Sequence, residues 1–463
     1  MLLNQSYKIN YFGLPYWSIP ILSFILFAIL LAVYTDLQYY NVFATGLSIA
    51  ILLSLLGELN NDIAIRGIIS FIYSLQLLLG PALSYTYLDT IDYYHLPIPE
   101  ENYFTYAIPG IIALVLGLYL PVYKGRKDTP QLLSSLEIYL KHKENAALIL
   151  IVIGFITSFL RSLAPGGLAF FFFLLSNLKF IGVFYLFYSD SKKKLILSFI
   201  VFGMLALDAI AGAMFHDLIL WITFAILLIT VKKKYSFFIK SIVTVLGLFL
   251  LFLVQSVKGE YRNALWYGEV PIENKTNYFQ SLIEKRLEDP DLLFSELSIN
   301  GFIYRINQGW IVGHILYYTP EVEPYAEGET IFKGISASLL PRFLNPEKYV
   351  AGGTEYFERF SGLTLTEGTS MNISPLGEFY ANFGKYGGIL FMFLFGLLFN
   401  FGIVAIYYFA KTYPSLILWI PLIFLQVVKA ETDFTTVFNH LVKAAFITWL
   451  LYWSFQKFFG IRL

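Results

Sequence analysis

The chain has 463 residues, 57% hydrophobic and only 14% charged, with 32 basic and 32 acidic side chains that cancel. A soluble domain carries about 25% charged residues, so a soluble globular reading is excluded, and zero net charge without any nucleic-acid motif argues against a nucleic-acid partner. With no cysteine, and five histidines in no H-E-x-x-H or H-x-x-x-H spacing, disulfides and thiolate sites are excluded and neither a bound metal nor a cofactor is expected.

In chain order, apolar windows run over 17–34, 41–56, 67–88, 104–122, 147–160, 168–188, 195–212, 218–231, 238–255, 386–410, 414–428 and 441–456. Crossing ~30 Å of hydrocarbon takes ~20 apolar residues, so these predict an all-α polytopic membrane protein with about 12 transmembrane helices. The shorter windows need tilts, extensions or re-entrant segments. The first window follows Lys8 and lacks a small-x-small cleavage site, which predicts an uncleaved helix. Many tyrosines fall at the ends of the windows, as interfacial belts require.

Charge sets the expected orientation. With the N-terminus inside, the inner connectors hold Lys124, Arg126, Lys127, Lys141, Lys143, Lys192–Lys194, Lys232–Lys234, Lys411, Lys457 and Arg462. The outer connector 89–103 holds Asp89, Asp92, Glu100 and Glu101 and no basic residue. This positive-inside asymmetry predicts two cytoplasmic termini. The chain then divides into nine helices over 1–255, one large external and partly helical loop over 256–385, and three helices over 386–463.

In that loop Ile299, Phe302, Ile303, Ile306, Trp310, His314 and Tyr317 share a helical face, with Asn300, Asn307 and Gln308 off it. The pattern predicts one amphipathic helix over 291–317, lying on the outer bilayer surface or on the bundle. Beyond Pro320 the Gly, Pro and charged residues predict an ordered, irregular segment that builds a site.

Basic residues crowd where the loop leaves and re-enters the membrane: Lys258 and Arg262 one turn apart, then Arg305, Arg342, Lys348 and Arg359, with Arg161 closing the fifth window on the same side. Arginine forks pair phosphate oxygens in bidentate fashion, so Lys258, Arg262, Arg342, Arg359, Arg161 and Arg305 are candidate ligands of a lipid-linked diphosphate. The alternative is a set of solvated or snorkelling loop charges. Glu378 sits just before the tenth window among apolar residues, where partial burial suits a carboxylate to accept a proton at neutral pH. Glu367 is the fallback, and an ordinary Glu–Arg pair is the plain alternative for Glu378. Asp208, Lys179 and Lys443 fall at membrane depth, serving function or pairing with one another. His216 and His314 are each alone. No P-loop, GxGxxG, G-x-S-x-G or EF-hand pattern occurs.

The topology and the run Pro375-Leu376-Gly377-Glu378-Phe379-Tyr380-Ala381-Asn382-Phe383-Gly384 resemble the oligosaccharide repeat-unit polymerases, the O-antigen and exopolysaccharide polymerases of bacterial envelopes. Gln255, Lys258, Tyr261 and Arg262, and the pair Pro341-Arg342, carry the same resemblance upstream. It implies a GT-C-like fold in the bacterial inner (cytoplasmic) membrane. It implies transfer of a growing glycan from undecaprenyl diphosphate to a hydroxyl of an incoming lipid-linked repeat unit, on the outer face. Its partners would be the undecaprenyl-diphosphate-linked glycan donor and acceptor, with the flippase and chain-length regulator of the same pathway. The basic residues would stabilise the leaving diphosphate, and Glu378 would serve as base. The residues alone reach only an outer-face enzyme or transporter of an anionic amphiphile. A glycan ligase, a flippase or other transporter, and an envelope scaffold stay open as rivals; the missing inverted repeat counts against transport.

Overall fold

The computed structural model describes residues 24–27, 29–31, 38–122, 129–164, 166–268, 274–339, 353–366 and 368–463, and among them every regular element is a helix. Hydrocarbon offers no hydrogen bonds, so a crossing backbone must satisfy its own N–H and C=O groups, which a helix does within one segment. Helices α1 (Tyr39–Glu58), α2 (Ile65–Tyr87) and α3 (Glu100–Tyr119) open the bundle. α4 (Thr129–Leu140) then meets α5 (Glu144–Leu160) at a bend of 85°. α6 (Gly166–Ser176) and α7 (Leu178–Tyr188) share one crossing, Leu168–Tyr188, and α8 (Lys194–Gly212), α9 (His216–Lys232) and α10 (Phe237–Trp266) follow. The long connector carries α11 (Lys275–Glu288), α12 (Glu296–Ile306), α13 (Gly309–Tyr318), α14 (Glu329–Leu339) and α15 (Thr354–Ser361). α16 (Ser374–Ala410) and α17 (Phe434–Phe459) complete the bundle.

Eight crossings among the described residues are long and apolar enough to span a bilayer. The chain is therefore a polytopic membrane protein. Eight of the expected windows lie on them. Of the others, 147–160 is α5 behind its bend, 218–231 is α9 with 17 residues, and 17–34 lies mostly outside the described residues. The window 414–428 is not one helix. Pro414–Trp419 winds as a 3-10 helix, Ile420–Ile423 makes a single α-turn, and turns lead from there to Asp433. Pro421 lacks the N–H that a continuous helix needs and clashes with the preceding turn, while Pro414 stands at a helix start, where proline is tolerated.

The single helix expected over 291–317 is also corrected. α12 stops at Ile306 and α13 starts at Gly309, because Asn307 is fully buried rather than outward-facing. Its side chain accepts from the Trp310 N–H at 3.2 Å and donates to the Tyr94 carbonyl at 3.0 Å, while the Gln308 N–H donates to the Gln76 carbonyl at 3.0 Å. Gln76 lies in a π-helical stretch of α2, Leu75–Leu79. Gly80 just beyond allows the approach, since a Cβ there would stand 2.3 Å from the Ile306 carbonyl oxygen. The loop is thus bolted onto the bundle.

α3 and α16 pack backbone to backbone. A Cβ on Gly117 would lie 2.3 Å from the Phe393 carbonyl oxygen, and one on Gly396 2.2 Å from that of Leu114. Small residues at such crossings are how membrane helices gain contact without a hydrophobic drive. The bundle has two distinct ends. At one, Lys193 pairs with Glu144 at 3.0 Å, Lys232 with Glu137 at 3.4 Å and Lys141 with Asp190 at 3.9 Å. The other, here the loop end, carries α11 to α15.

Candidate functional site

At the loop end Pro375 opens α16, where a missing N–H costs nothing because first-turn donors have no helical partner. One turn inward Glu378 is fully buried. Its Oε1 accepts from Thr330 Oγ1 of α14 at 2.6 Å, and its Oε2 from the Phe434 N–H at the start of α17 at 2.7 Å. Asn382, a further turn on, donates to Thr330 Oγ1 and to the Glu378 carbonyl, both at 2.8 Å. Asp433 caps α17, its Oδ1 accepting from the Thr436 N–H at 2.6 Å. Its carboxylate acts directly on that of Glu378, and its Oδ2 is buried with no hydrogen-bond partner among the described residues. Burial pushes the Asp433 carboxyl above the usual carboxylate range. Among the described residues no basic side chain pairs with either carboxylate.

Two residues before Asp433 the chain turns the opposite way. Arg305, at the end of α12, holds Glu431 with a fork of Nη1 to Oε2 at 2.8 Å and Nη2 to Oε1 at 3.4 Å. Burial alone would raise the Glu431 carboxyl, but Arg305, His216 and Lys429 together outweigh it and hold the group at about 2. Arg305 Nη2 also lies 3.1 Å from His216 Nδ1. A guanidinium only donates, so Nδ1 accepts and the imidazole proton sits on Nε2. That nitrogen is buried with no hydrogen-bond partner among the described residues. Lys429 reaches Asp217 at 3.5 Å. Arg305, Arg262 and Glu431 all act on the Lys258 ammonium. Arg262 lies over the Trp266 ring at 5.1 Å and donates to the Ala213 carbonyl at 3.3 Å, where α8 ends. Four basic side chains thus face two acids, Glu431 and Asp217, and one free imidazole N–H. Such a pocket suits an anion rich in acceptor oxygens.

The structure brings Lys258, Arg262 and Arg305 together. Arg359, on α15, is instead taken up by two carboxylates, Nε to Glu323 at 2.5 Å and Nη1 to Glu329 at 3.0 Å. Arg161 ends α5 with its guanidinium over the Phe173 ring at 5.0 Å, in the company of Lys179. Arg342, Lys348 and Glu367 lie outside the described residues. Asp208 is exposed on α8. His314 is wedged edge-on against Trp310, and burial lowers its imidazole below the usual range.

Sequence reasoning passed over Thr330, Lys429, Glu431 and Asp433. The run Lys429-Ala430-Glu431-Thr432-Asp433 carries the signal, three charges in five residues between two apolar stretches. It joins the basic pocket to the carboxylate pair. Compared with known protein families, curated proteins and solved structures, the chain matches none.

Proposed function

We propose that the chain is a GT-C-like glycan polymerase that joins polyprenyl-diphosphate-linked oligosaccharide units at its loop end, on the outer face of a bacterial cytoplasmic membrane. The observation that carries this reading is the Lys429–Asp433 turn, which sets a net-basic pocket beside a buried pair of carboxylates. In the reaction the bond between the glycan's anomeric carbon and the diphosphate oxygen breaks, and a bond from that carbon to the acceptor hydroxyl forms. Negative charge builds on the departing diphosphate. Lys258, Arg262 and Arg305, with the free His216 N–H, are placed to stabilise it through preorganised donors.

The acceptor proton goes to the carboxylate pair, which titrates as one unit. Both Glu378 oxygens already accept hydrogen bonds. Asp433 Oδ2 is the oxygen with lone pairs to spare. Glu378 thus works as the base jointly with Asp433, which it helps to hold in place. Because Asp433 is fully buried, acceptor binding must first displace α14, whose Gly334 would bring a Cβ within 2.6 Å of Thr435 Oγ1.

The test is the chain in proteoliposomes with undecaprenyl-diphosphate-linked repeat units, the products resolved on a gel. A ladder is expected. Asp433→Asn and Glu378→Gln should each slow it by about 10²–10⁴, the usual worth of general-base help, with lipid binding retained. Arg262→Ala should weaken binding as well as turnover, since it removes a contact made before and during bond breaking. A single transfer to a different lipid, with no ladder, would make the chain a ligase. No transfer at all from a folded protein that binds the donor would sink the enzyme reading.

A further inference from the structure

α10 is 30 residues long, yet its buried residues are Lys240 near the inner end and Leu253, Val257, Tyr261 and Ala264 towards the outer one. None of residues 241–252 is buried. Both ends are tied down. The Lys240 ammonium donates to the Leu56 carbonyl and, at 3.2 Å, to that of Leu59, where α1 ends. At the other end the Tyr261 hydroxyl donates to the Ile210 carbonyl of α8 at 2.9 Å, and Gln255 Nε2 to the Gly301 carbonyl of α12 at 3.3 Å.

Helical geometry gives the direction of the stretch between them. Lys240 and Lys258 are 18 residues apart, five whole turns at 3.6 residues each, so they lie on one line along the helix. Lys240 points that line at the end of α1. Lys258 points it at the basic pocket, where Arg305 and Glu431 act on its ammonium. Gly247, Leu251 and Val254, at positions i+7, i+11 and i+14 from Lys240, fall on the same line, and each is only half-buried. A Cβ on Gly247 would meet nothing within 4 Å. The face turned towards the bundle is therefore held off it, unlike the α3–α16 crossing, where glycines bring two backbones together. A glycine inside a helix costs stability, and no neighbouring backbone takes up the room this one leaves.

The resulting trough is apolar. From Ile242 to Leu253 the one polar side chain is Thr244, and its hydroxyl donates to the Lys240 carbonyl of its own helix at 2.9 Å. Residues 241–252 rise about 18 Å, more than half of a hydrocarbon layer of ~30 Å. One turn beyond Val254 the same line reaches Lys258, so the trough opens into the cations of the pocket. An occupant must be apolar along its length and anionic at its outer end. One trough leading to one pocket suits a lipid with a single chain on its head group. A polyprenyl diphosphate is built that way, whereas a phospholipid brings two chains.

We propose that the inward face of α10, along Gly247, Leu251 and Val254, seats the isoprenoid chain of a polyprenyl diphosphate whose head group lies against Lys258, Arg262 and Arg305. The choice of lipid rests on the polymerase reading; the trough and its opening into the pocket do not.

The test is binding to the purified chain in detergent, read by native mass spectrometry with no transfer step. Undecaprenyl diphosphate is the long-chain probe, geranyl diphosphate the short one with the same head group, and phosphatidylglycerol the two-chained competitor. The wild type should hold the long chain at least tenfold more tightly than the short one. Gly247→Phe, which fills the trough, should weaken the long chain at least tenfold and leave the short one unchanged. Leu251→Trp gives the same reading if Gly247→Phe does not fold. Gly203→Phe, at a glycine with equally open surroundings on α8, should leave both unchanged. Undiminished long-chain binding in the filled variants, an equal loss in Gly203→Phe, or displacement by an equal concentration of phosphatidylglycerol would each overturn the proposal. A chain that loses its length preference in Gly247→Phe but builds no polymer keeps the trough and loses the polymerase. A chain that builds polymer with no length preference does the reverse.

Discussion

Glu431 has both oxygens on one guanidinium, so its loss leaves the half-buried Arg305 charge without its acid. Glu431→Gln should lower stability by about 1 kcal/mol, because solvent screens a partly exposed pair. The pH dependence follows from the same contact. In the folded chain the Glu431 carboxyl is held at about 2 against an ordinary 4.5, so the unfolded chain binds its proton first. The stability it adds is complete above about 4.5 and drains away as the pH falls towards 2. Melting in detergent across that interval should show the loss in the wild type and a flatter profile in Glu431→Gln. Asp433 has the opposite sign. Its carboxyl is raised by burial, so its contribution to stability is present at acid pH and is lost as the pH rises through the raised value. Activity should climb over that same rise, because only the ionised carboxylate accepts a proton, and Asp433→Asn should abolish the climb. Glu378, Lys258 and Arg262 were legible from spacing and position. Glu431 and Asp433 were not, since a charged connector looks solvated until the fold shows which side chains are buried.

Hydropathy finds where a chain is apolar enough to cross, and it found the long helices well. It does not report continuity. The 414–428 stretch is largely apolar, yet it is broken at Pro421 into short turns. The face over 291–317 has the right period, but its polar Asn307 turns inward to accept from the Trp310 N–H and hold the Tyr94 carbonyl. Periodicity cannot tell a polar residue facing water from one serving as a buried joint. The α3–α16 contact was invisible for a related reason, because a glycine's value lies in what touches it. Gly396→Val should cost about 1–3 kcal/mol, since the atoms it meets are backbone and cannot swing aside. Gly203 on α8 has open space around it, so Gly203→Ala should stay within about 0.5 kcal/mol. Thermal melting of the two variants side by side checks both.

Across the whole molecule, the lysine-rich connectors gather at one end and the long loop occupies the other. On the charge rule the lysine end is expected in the cytoplasm. The chain has no cysteine of its own, so single cysteines report their side cleanly. In intact cells a membrane-impermeant maleimide should label Leu297→Cys, in the loop, and leave Lys192→Cys untouched until the membrane is opened. Labelling of Lys192→Cys in intact cells would invert the layout. The class of fold was thus readable from composition, while the joining of its two chemical centres was not, because the Lys429–Asp433 turn exists only once three distant parts of the chain are packed around it. That turn carries Glu431 on one side and Asp433 on the other, so filling the pocket and titrating the carboxylates are two equilibria strung on one short length of backbone. Whatever factor an anion in the pocket imposes on proton affinity, the proton must return on anion affinity. A donor that arrives and a base that becomes ready would then be two readings of a single quantity.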